Sequence, residues 1–276
     1  MKYFLDAEFH EYQKQPKVLG LNVGKPINTI ELISIGIVSE TYNVHTNKKY
    51  PGTENKEYYA ICKDFDLKAA WNNEWLRENV LTGIWKTLAY KEYDGKINYT
   101  TDGGLIIFFE DGTKTVVKAY KSFKMLINKY GKTKKQIATE IYDFVSESTY
   151  VKDGFEASEN ENLNPEFYAY YADYDWVVFC QLWSALYPVQ PKSFETGMSY
   201  MNPKGFPYYC KDLKQMLDEE AISTYCNNGT LDSEKDINRR IEHLKAHPDY
   251  PKQSNEHNAL ADAKWNKELY KFLNTL

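Results

Sequence analysis

At 276 residues and 42% hydrophobic content, the chain is long enough to bury a substantial core. Its four cysteines lie far apart and form no C-x-x-C pair, which argues against a zinc site or a disulfide framework. The net charge of −5 argues against a protein that coats nucleic acid by bulk electrostatics, so any nucleic-acid contact must be local or metal-assisted.

The chain also lacks the sequence signals of membrane or secreted proteins. No stretch approaches the roughly 18 uninterrupted apolar residues that a membrane helix needs. The N-terminus runs directly into acidic residues, without the apolar region of a signal peptide. These features predict a soluble, cytoplasmic protein with no membrane partner.

The first third of the chain is predicted to start an α/β layer. Residues 1–9, 31–40 and 57–62 are apolar runs typical of strands, and an amphipathic helix is expected around residues 71–81. Residues 10–29 contain Pro, Gly and Asn and are predicted to form a loop.

Residues near 89–130 have a different character, which predicts an inserted β-hairpin element within a single domain spanning 1–276. Two β-rich runs are joined by Asp111-Gly112, a strong type I′ hairpin signal. Such an element could extend a substrate groove, pair with a second subunit through its strand edge, or only decorate the surface. We favour a groove role or a homodimer.

The rest of the chain alternates helices with polar loops. A helix with Thr133 as a possible cap is expected from Lys132, followed by a polar loop at 152–165. Residues 167–183 are expected to form a strand that turns into an apolar helix at Tyr174-Asp175. Further helices are expected at 211–220, at 234–247 and in a final amphipathic segment.

Asp6 and Glu8 are the first candidates for chemistry. They lie two apart on a predicted strand, so both side chains project from one face, as carboxylates that share divalent cations require. D-x-E also occurs by chance on solvated strands. Here the flanking residues Tyr3, Phe4 and Leu5 indicate a buried strand, and buried carboxylates are costly unless they are paired or bound to metal.

Three later residues extend this set. Asp175 precedes an apolar helical run and is either a site residue at a sheet edge or an ordinary helix cap. His257 and Asp262 begin the last helix, where Asp262 is expected on the core-facing side. A lone histidine there is usually a cap or surface residue, but the other three acids favour a functional role.

His243 and His247 form a second, weaker candidate. They are spaced i and i+4, as zinc ligands on one helix face are. Pro248 ends that predicted helix and no third ligand is near, so zinc binding is disfavoured.

Taken together, D-x-E near the start, an Asp at a mid-chain helix and H-x-x-x-x-D near the end resemble the DEDDh 3′→5′ exonucleases, which have a ribonuclease H-like fold. The segments YFLDAEF, ELISIGIV, EYYAI, ADYDWVVFCQLW and HNALADAKWN resemble the small bacterial exoribonucleases described as adenylate-preferring, the ribonuclease AS group. The resemblance covers roughly 1–82, 132–186 and 205–276. Trp176 stands where the family leads us to expect histidine.

The resemblance implies a mixed sheet flanked by helices and a mechanism with two Mg²⁺ or Mn²⁺ ions. It places Asp6 between both ions, Glu8 and Asp262 at the first and Asp175 at the second. His257 would deprotonate the attacking water.

The expected partner is the 3′ end of single-stranded nucleic acid, with RNA favoured over DNA. Phe9 and Trp176 flank the carboxylates and could stack on the terminal base, although core packing is the commoner role for such rings. Two other functions stay open. One is a DNA exonuclease of repair or proofreading type, and the other is a non-catalytic nucleic-acid-binding module.

Overall fold

The structure, a computed structural model, describes residues 1–40, 56–101, 103–150, 165–184, 203, 205–223 and 234–276. The side chains at positions 17, 147–150, 184, 223 and 234–236 are not described. The predicted loop at 152–165 lies almost wholly outside these residues, as does Cys226.

The elements follow in chain order. Up to residue 92, the strands and helices are β1 (Lys2–Lys14), β2 (Lys17–Val18), β3 (Leu21–Asn22), β4 (Ile27–Ser39), β5 (Glu57–Ile61), α1 (Leu67–Asn72), α2 (Glu74–Leu76), a π-helical turn (Arg77–Leu81) and α3 (Thr82–Glu92). They continue as β6 (Ile97–Tyr99), β7 (Leu105–Phe108), β8 (Lys114–Val117), α4 (Ala119–Tyr130), α5 (Lys134–Tyr150), β9 (Glu166–Ala169), α6 (Ala172–Ser184), β10 (Lys211–Asp212), α7 (Leu213–Ser223), α8 (Glu234–Lys245) and α9 (Ala259–Leu273).

Five of the strands form one mixed sheet in the order β10-β9-β1-β4-β5. Strand β9 runs parallel to both β1 and β10. The α/β class and the mixed sheet expected from the sequence are therefore confirmed. None of the helices in the described ranges combines the length and the apolar character needed to cross a membrane.

The loop predicted at residues 10–29 is wrong. Strand β1 continues to Lys14, because buried His10 and half-buried Tyr12 alternate with exposed Glu11 and Gln13 in the two-residue period of a strand. Strands β2 and β3 then form a small antiparallel ribbon, and β4 already begins at Ile27.

The hairpin predicted around Asp111-Gly112 is present, but its turn type is wrong. Strands β6, β7 and β8 form a three-stranded antiparallel sheet, so the hairpin gains a third strand. A type I′ turn needs positive φ at both central residues, whereas only Gly112, with φ 80°, has it. Gly112 N–H donates to the Phe109 carbonyl, and Phe109 N–H donates to the Thr113 carbonyl, which describes a longer turn.

The strand-to-helix turn predicted at Tyr174-Asp175 lies four residues earlier. Strand β9 ends at Ala169, Tyr171 adopts φ 55°, and α6 begins at Ala172. Asp175 therefore lies inside the first turn of α6. By contrast, the Thr133 cap is confirmed, because its hydroxyl accepts from Gln136 N–H while the Gln136 side chain accepts from Thr133 N–H.

Residue contacts divide the chain into two units. The first contains Met1–Ala7, Ile35–Tyr59 and Ala138–Leu276, and the second contains Glu8–Ser34 and Ala60–Ile137. The core of the first unit joins the sheet to α7, α8 and α9 and consists of Phe4, Tyr168, Leu213, Leu217, Ala221, Ile241, Leu269, Tyr270, Phe272 and Leu273. In the second unit, Trp71 packs on Trp85 and Phe123, and Trp85 donates to Ser122 Oγ at 2.6 Å.

Helix α9 begins in close contact with β4. A Cβ atom at Gly36 would lie 2.3 Å from the carbonyl oxygen of Ala259 and 2.5 Å from Cα of Leu260. Both neighbours are backbone atoms, which cannot rotate away as a side chain could. Only glycine therefore permits α9 to start at this distance from the sheet.

Gly36→Ala should lower the free energy of unfolding by at least about 2 kcal/mol, because the added methyl overlaps the backbone of α9. Gly83→Ala is the matched control, since Gly83 lies in α3 with open space around its Cβ position. That control should be neutral or stabilising, by up to about 1 kcal/mol. Urea unfolding measures both, and equal stabilities for the two variants would contradict the close approach.

Candidate active site

Three carboxylates converge where β1 meets the first turns of α9. Asp6, Glu8 and Asp262 each offer an oxygen, and these oxygens lie within 4.8 Å of one another. Glu8 and Asp262 are 8% and 6% exposed, and Asp6 is half-buried. Alternation along β1 puts Asp6 and Glu8 on one side of the strand, and α9 brings Asp262 to them.

Burial governs the electrostatics of Asp262. Loss of solvent raises the pKa of its carboxyl above the ordinary value. Gln253 Nε2 donates to its Oδ1 at 2.7 Å, and this bond, together with the backbone of His257 and Asn258, partly offsets the rise in its pKa. Asp262 is therefore held in a fixed position at the cost of desolvation.

The start of α9 also places His257 beside Asp262. Asn258 is the N-cap, and its side-chain oxygen accepts from Ala261 N–H at 3.1 Å. His257 directly precedes this cap and has φ 63°, a backbone conformation that is uncommon outside glycine. The His257 backbone also helps to lower the pKa of the Asp262 carboxyl, and backbone conformations of this kind cluster at functional sites.

Asp175 approaches the same stretch of β1 from α6. It is 6% exposed, and its Oδ1 accepts from the backbone N–H of Ala7 at 2.7 Å. Strand β9 pairs with β1 only as far as Phe4↔Tyr168, so β1 continues beyond the residues that pair with β9. Asp175 thus binds the residue between Asp6 and Glu8, although it is not one of the three clustered carboxylates.

Asn266 is a site residue that the sequence reasoning missed. Its side-chain amide donates to the buried carbonyl of Leu5 at 2.9 Å, which ties α9 to β1 directly before Asp6. The available signal was its position four residues after Asp262, on the core-facing side of a helix. Gln253 was also missed, and nothing in the sequence around it pointed to this contact.

The two aromatic candidates differ in their surroundings. Phe9 is half-buried on β1, next to Glu8. Trp176 stacks on Phe179 with ring centroids 4.8 Å apart and donates its indole N–H to the Tyr208 carbonyl at 3.2 Å. The Trp176 ring is therefore engaged in an aromatic cluster.

The histidine pair near the end of α8 is not part of this carboxylate cluster. His243 is exposed on α8, and His247 follows that helix with its ring against Phe272. In the described part of the chain, neither histidine belongs to a group of three potential metal ligands.

The donor set suits a hard divalent cation. Carboxylate oxygens are the ligands that Mg²⁺ and Mn²⁺ prefer, and a cation would offset the desolvation and mutual repulsion of the three acids. No cysteine or histidine contributes to the clustered group, which is atypical of zinc. The residues present therefore fit the kind of ion that the sequence led us to expect.

Asp262→Asn should stabilise the protein in EDTA at pH 7.5. Burial raises the folded-state pKa of Asp262, so folding favours its protonated form. The stability that the protonated carboxyl contributes is fully present below the unfolded-state pKa and is lost as pH rises through the folded-state pKa. Asparagine does not ionise and keeps an acceptor for Gln253. The gain over the wild type should shrink towards pH 3.

Urea unfolding at both pH values measures this difference, and exposed Asp173 on α6 supplies the control variant Asp173→Asn. The control should show no comparable gain at pH 7.5. A less stable Asp262→Asn protein at pH 7.5 in EDTA would contradict the desolvation argument.

Comparison with known proteins identifies the family. No curated protein matches the chain. Residues 116–273 match the family described as the 3'-5' exoribonuclease Rv2179c-like domain. The matched stretch contains Asp175, His257 and Asp262, whereas Asp6 and Glu8 precede it on β1. Since the match covers more than half of its length, the chain belongs to the family of 3'-5' exoribonuclease Rv2179c-like domains.

Proposed function

We propose that the protein is a DEDDh-type 3′→5′ exoribonuclease with a ribonuclease H-like fold, which releases nucleoside 5′-monophosphates from single-stranded RNA ends. The observation that carries this proposal is the cluster of Asp6, Glu8 and Asp262 in a chain of an exoribonuclease family. Asp175 accepts from the Ala7 N–H between Asp6 and Glu8, and His257 acts electrostatically on Asp262, so the proposal adds both to the catalytic groups.

The proposed cofactors are two Mg²⁺ or Mn²⁺ ions per active site. Asp6, Glu8 and Asp262 would hold the first, and Asp6 and Asp175 the second. Such a pair of ions supplies electrostatic stabilisation to the attacking and leaving oxygens of a phosphodiester. In an acidic protein, bound cations also reverse the local field, so that a phosphate can approach three carboxylates.

His257 is the proposed general base. A neutral imidazole accepts a proton from water near physiological pH, and the next carboxylate in the chain, Asp262, lies close enough to stabilise the imidazolium that forms. The capped first turn of α9 fixes the His257 backbone, which limits the positions its ring can take. Asp175 and Asn266 form hydrogen bonds with the backbone of β1. Asp175 joins β1 to α6, and Asn266 joins it to α9.

The family description favours RNA as the substrate, and a protein distinguishes RNA from DNA through the 2′-hydroxyl. Half-buried Phe9, adjacent to Glu8, is a candidate for stacking on the terminal base. The Trp176 ring is already stacked on Phe179, so we expect it to contribute less to base stacking than Phe9.

Digestion of matched RNA and DNA oligonucleotides tests the activity. Single strands labelled at the 5′ or 3′ end, including an oligo(A), are incubated with Mg²⁺, Mn²⁺ or EDTA. We expect shortening from the 3′ end that requires metal and is faster on RNA. Faster cleavage of DNA would favour a repair-type exonuclease, and binding without cleavage would favour a non-catalytic module.

Asp6→Asn and His257→Ala should each lower the rate of 3′ shortening by at least about 100-fold, because each removes a group that acts on the reacting phosphate or water. Asp173→Asn is the matched control, since Asp173 is an exposed acid in the same helical turn as Asp175. Circular dichroism checks that all three variants fold. Wild-type rates in a folded Asp6→Asn protein would refute the catalytic assignment.

A further inference from the structure

Positive charge is concentrated in one stretch of this acidic protein. Residues 112–137 contain eight lysines and no aspartate or glutamate, although the whole chain has a net charge of −5. The stretch includes β8, α4 and the first turn of α5. The eight lysine charges of this segment, with no acidic residue among them, produce a local positive field.

Helix α4 presents these lysines on one side. Phe123, Leu126 and Ile127 are buried, together with Ser122, and form its inner side. The outer side consists of exposed Lys118 at the N-cap, Lys121, Lys124, Met125, Asn128 and Lys129. Residues three and four apart share a helix face, so Lys118, Lys121 and Lys124 follow one another along the surface. Exposed Lys114 on β8 precedes them.

The exposed lysines of β8 and α4 differ in whether they form ion pairs. Lys129 is paired with Glu92 at 2.6 Å. Within the described ranges, by contrast, the structure records no ion pair for Lys114, Lys118, Lys121 or Lys124. We call these four side chains the lysine face. As exposed positive charges, they attract anions from the solvent.

The position of the lysines within the helices is also unfavourable for folding. The N-terminus of a helix carries a partial positive charge, and acidic residues usually occupy its first turn. Neither α4 nor α5 has an acidic residue there, and lysines occupy the N-cap of α4 and the first turn of α5. Helix stability does not explain this pattern, but attraction of an anion does.

We propose that the lysine face binds phosphates of a single-stranded RNA and so holds a part of the strand that is not being cleaved. This inference rests on the proposed exoribonuclease function. It explains how a protein of negative net charge retains a long polyanionic substrate, since each lysine that contacts a phosphate releases a counterion.

An anionic membrane fits the lysine face less well. An amphipathic helix that binds a bilayer inserts its apolar side between the lipids. The apolar side of α4 is buried within the protein, and Met125 is the one apolar residue among the exposed positions of α4 named above. A nucleic-acid strand needs only the charges.

Equilibrium binding tests the proposal with the variant K118Q/K121Q/K124Q. The control is K25Q/K68Q/K245Q, which removes the same charge at three exposed lysines outside the face. Fluorescence anisotropy of a labelled 24-nucleotide RNA is measured in EDTA over a series of salt concentrations, so that no cleavage interferes. Equal thermal melting curves show that both variants are folded.

We expect the slope of log K against log salt to become shallower by about 2 in the first variant, since each phosphate contact on a single strand contributes about 0.7. The control should keep the wild-type slope. In Mg²⁺ and at low enzyme concentration, K118Q/K121Q/K124Q should cleave the 24-mer more slowly than the wild type does. Its rate on a dinucleotide, which has one phosphodiester, should equal the wild-type rate.

An unchanged slope and affinity in the first variant would overturn the proposal. So would a loss of binding to phosphatidylserine vesicles without any change in RNA binding, which would assign the lysine face to a membrane. An inactive wild-type protein whose RNA binding still depends on these lysines would refute the proposed function but support the lysine face. An active enzyme with an unchanged slope would refute the lysine face alone.

Discussion

The structure depends on holding three carboxylates within 4.8 Å of one another in a largely buried position. Desolvation and like-charge repulsion both oppose this arrangement, so the surrounding residues must enforce it. A divalent cation bound between the carboxylates would offset both effects. The arrangement of β1, α6 and α9 can be understood from this requirement.

The backbone of β1 is the common element of that arrangement. Asp175 accepts from Ala7 N–H, and Asn266 donates to the Leu5 carbonyl, so both neighbours of Asp6 are fixed by side chains. Glycine at position 36 lets α9 begin close to the sheet, and the Asn258 cap then sets the direction of its first turn. Several weak constraints thus position a few strongly interacting charges.

The sequence predicted the parts of the fold that have a strong local signal. The two-residue spacing of Asp6 and Glu8 on β1, the Thr133 cap and the amphipathic character of α9 were all predicted from the sequence. The extension of β1 to Lys14 was not predicted, because the Pro, Gly and Asn of residues 10–29 indicated a loop. The alternation of residues 10–13 between inner and outer positions is the signal that was missed. The contacts of Gln253 and Asn266 could not be predicted, since each joins residues that only the tertiary fold brings together.

The order of the elements along the chain has a consequence for biosynthesis. Asp6 and Glu8 lie on β1, the first described element, and Asp262 lies on α9, the last. Because a ribosome makes β1 first, the nascent chain carries two of the three clustered carboxylates until α9 has been translated. The cluster of three carboxylates is therefore incomplete during most of the synthesis of the chain, while the polypeptide is still next to its own messenger RNA.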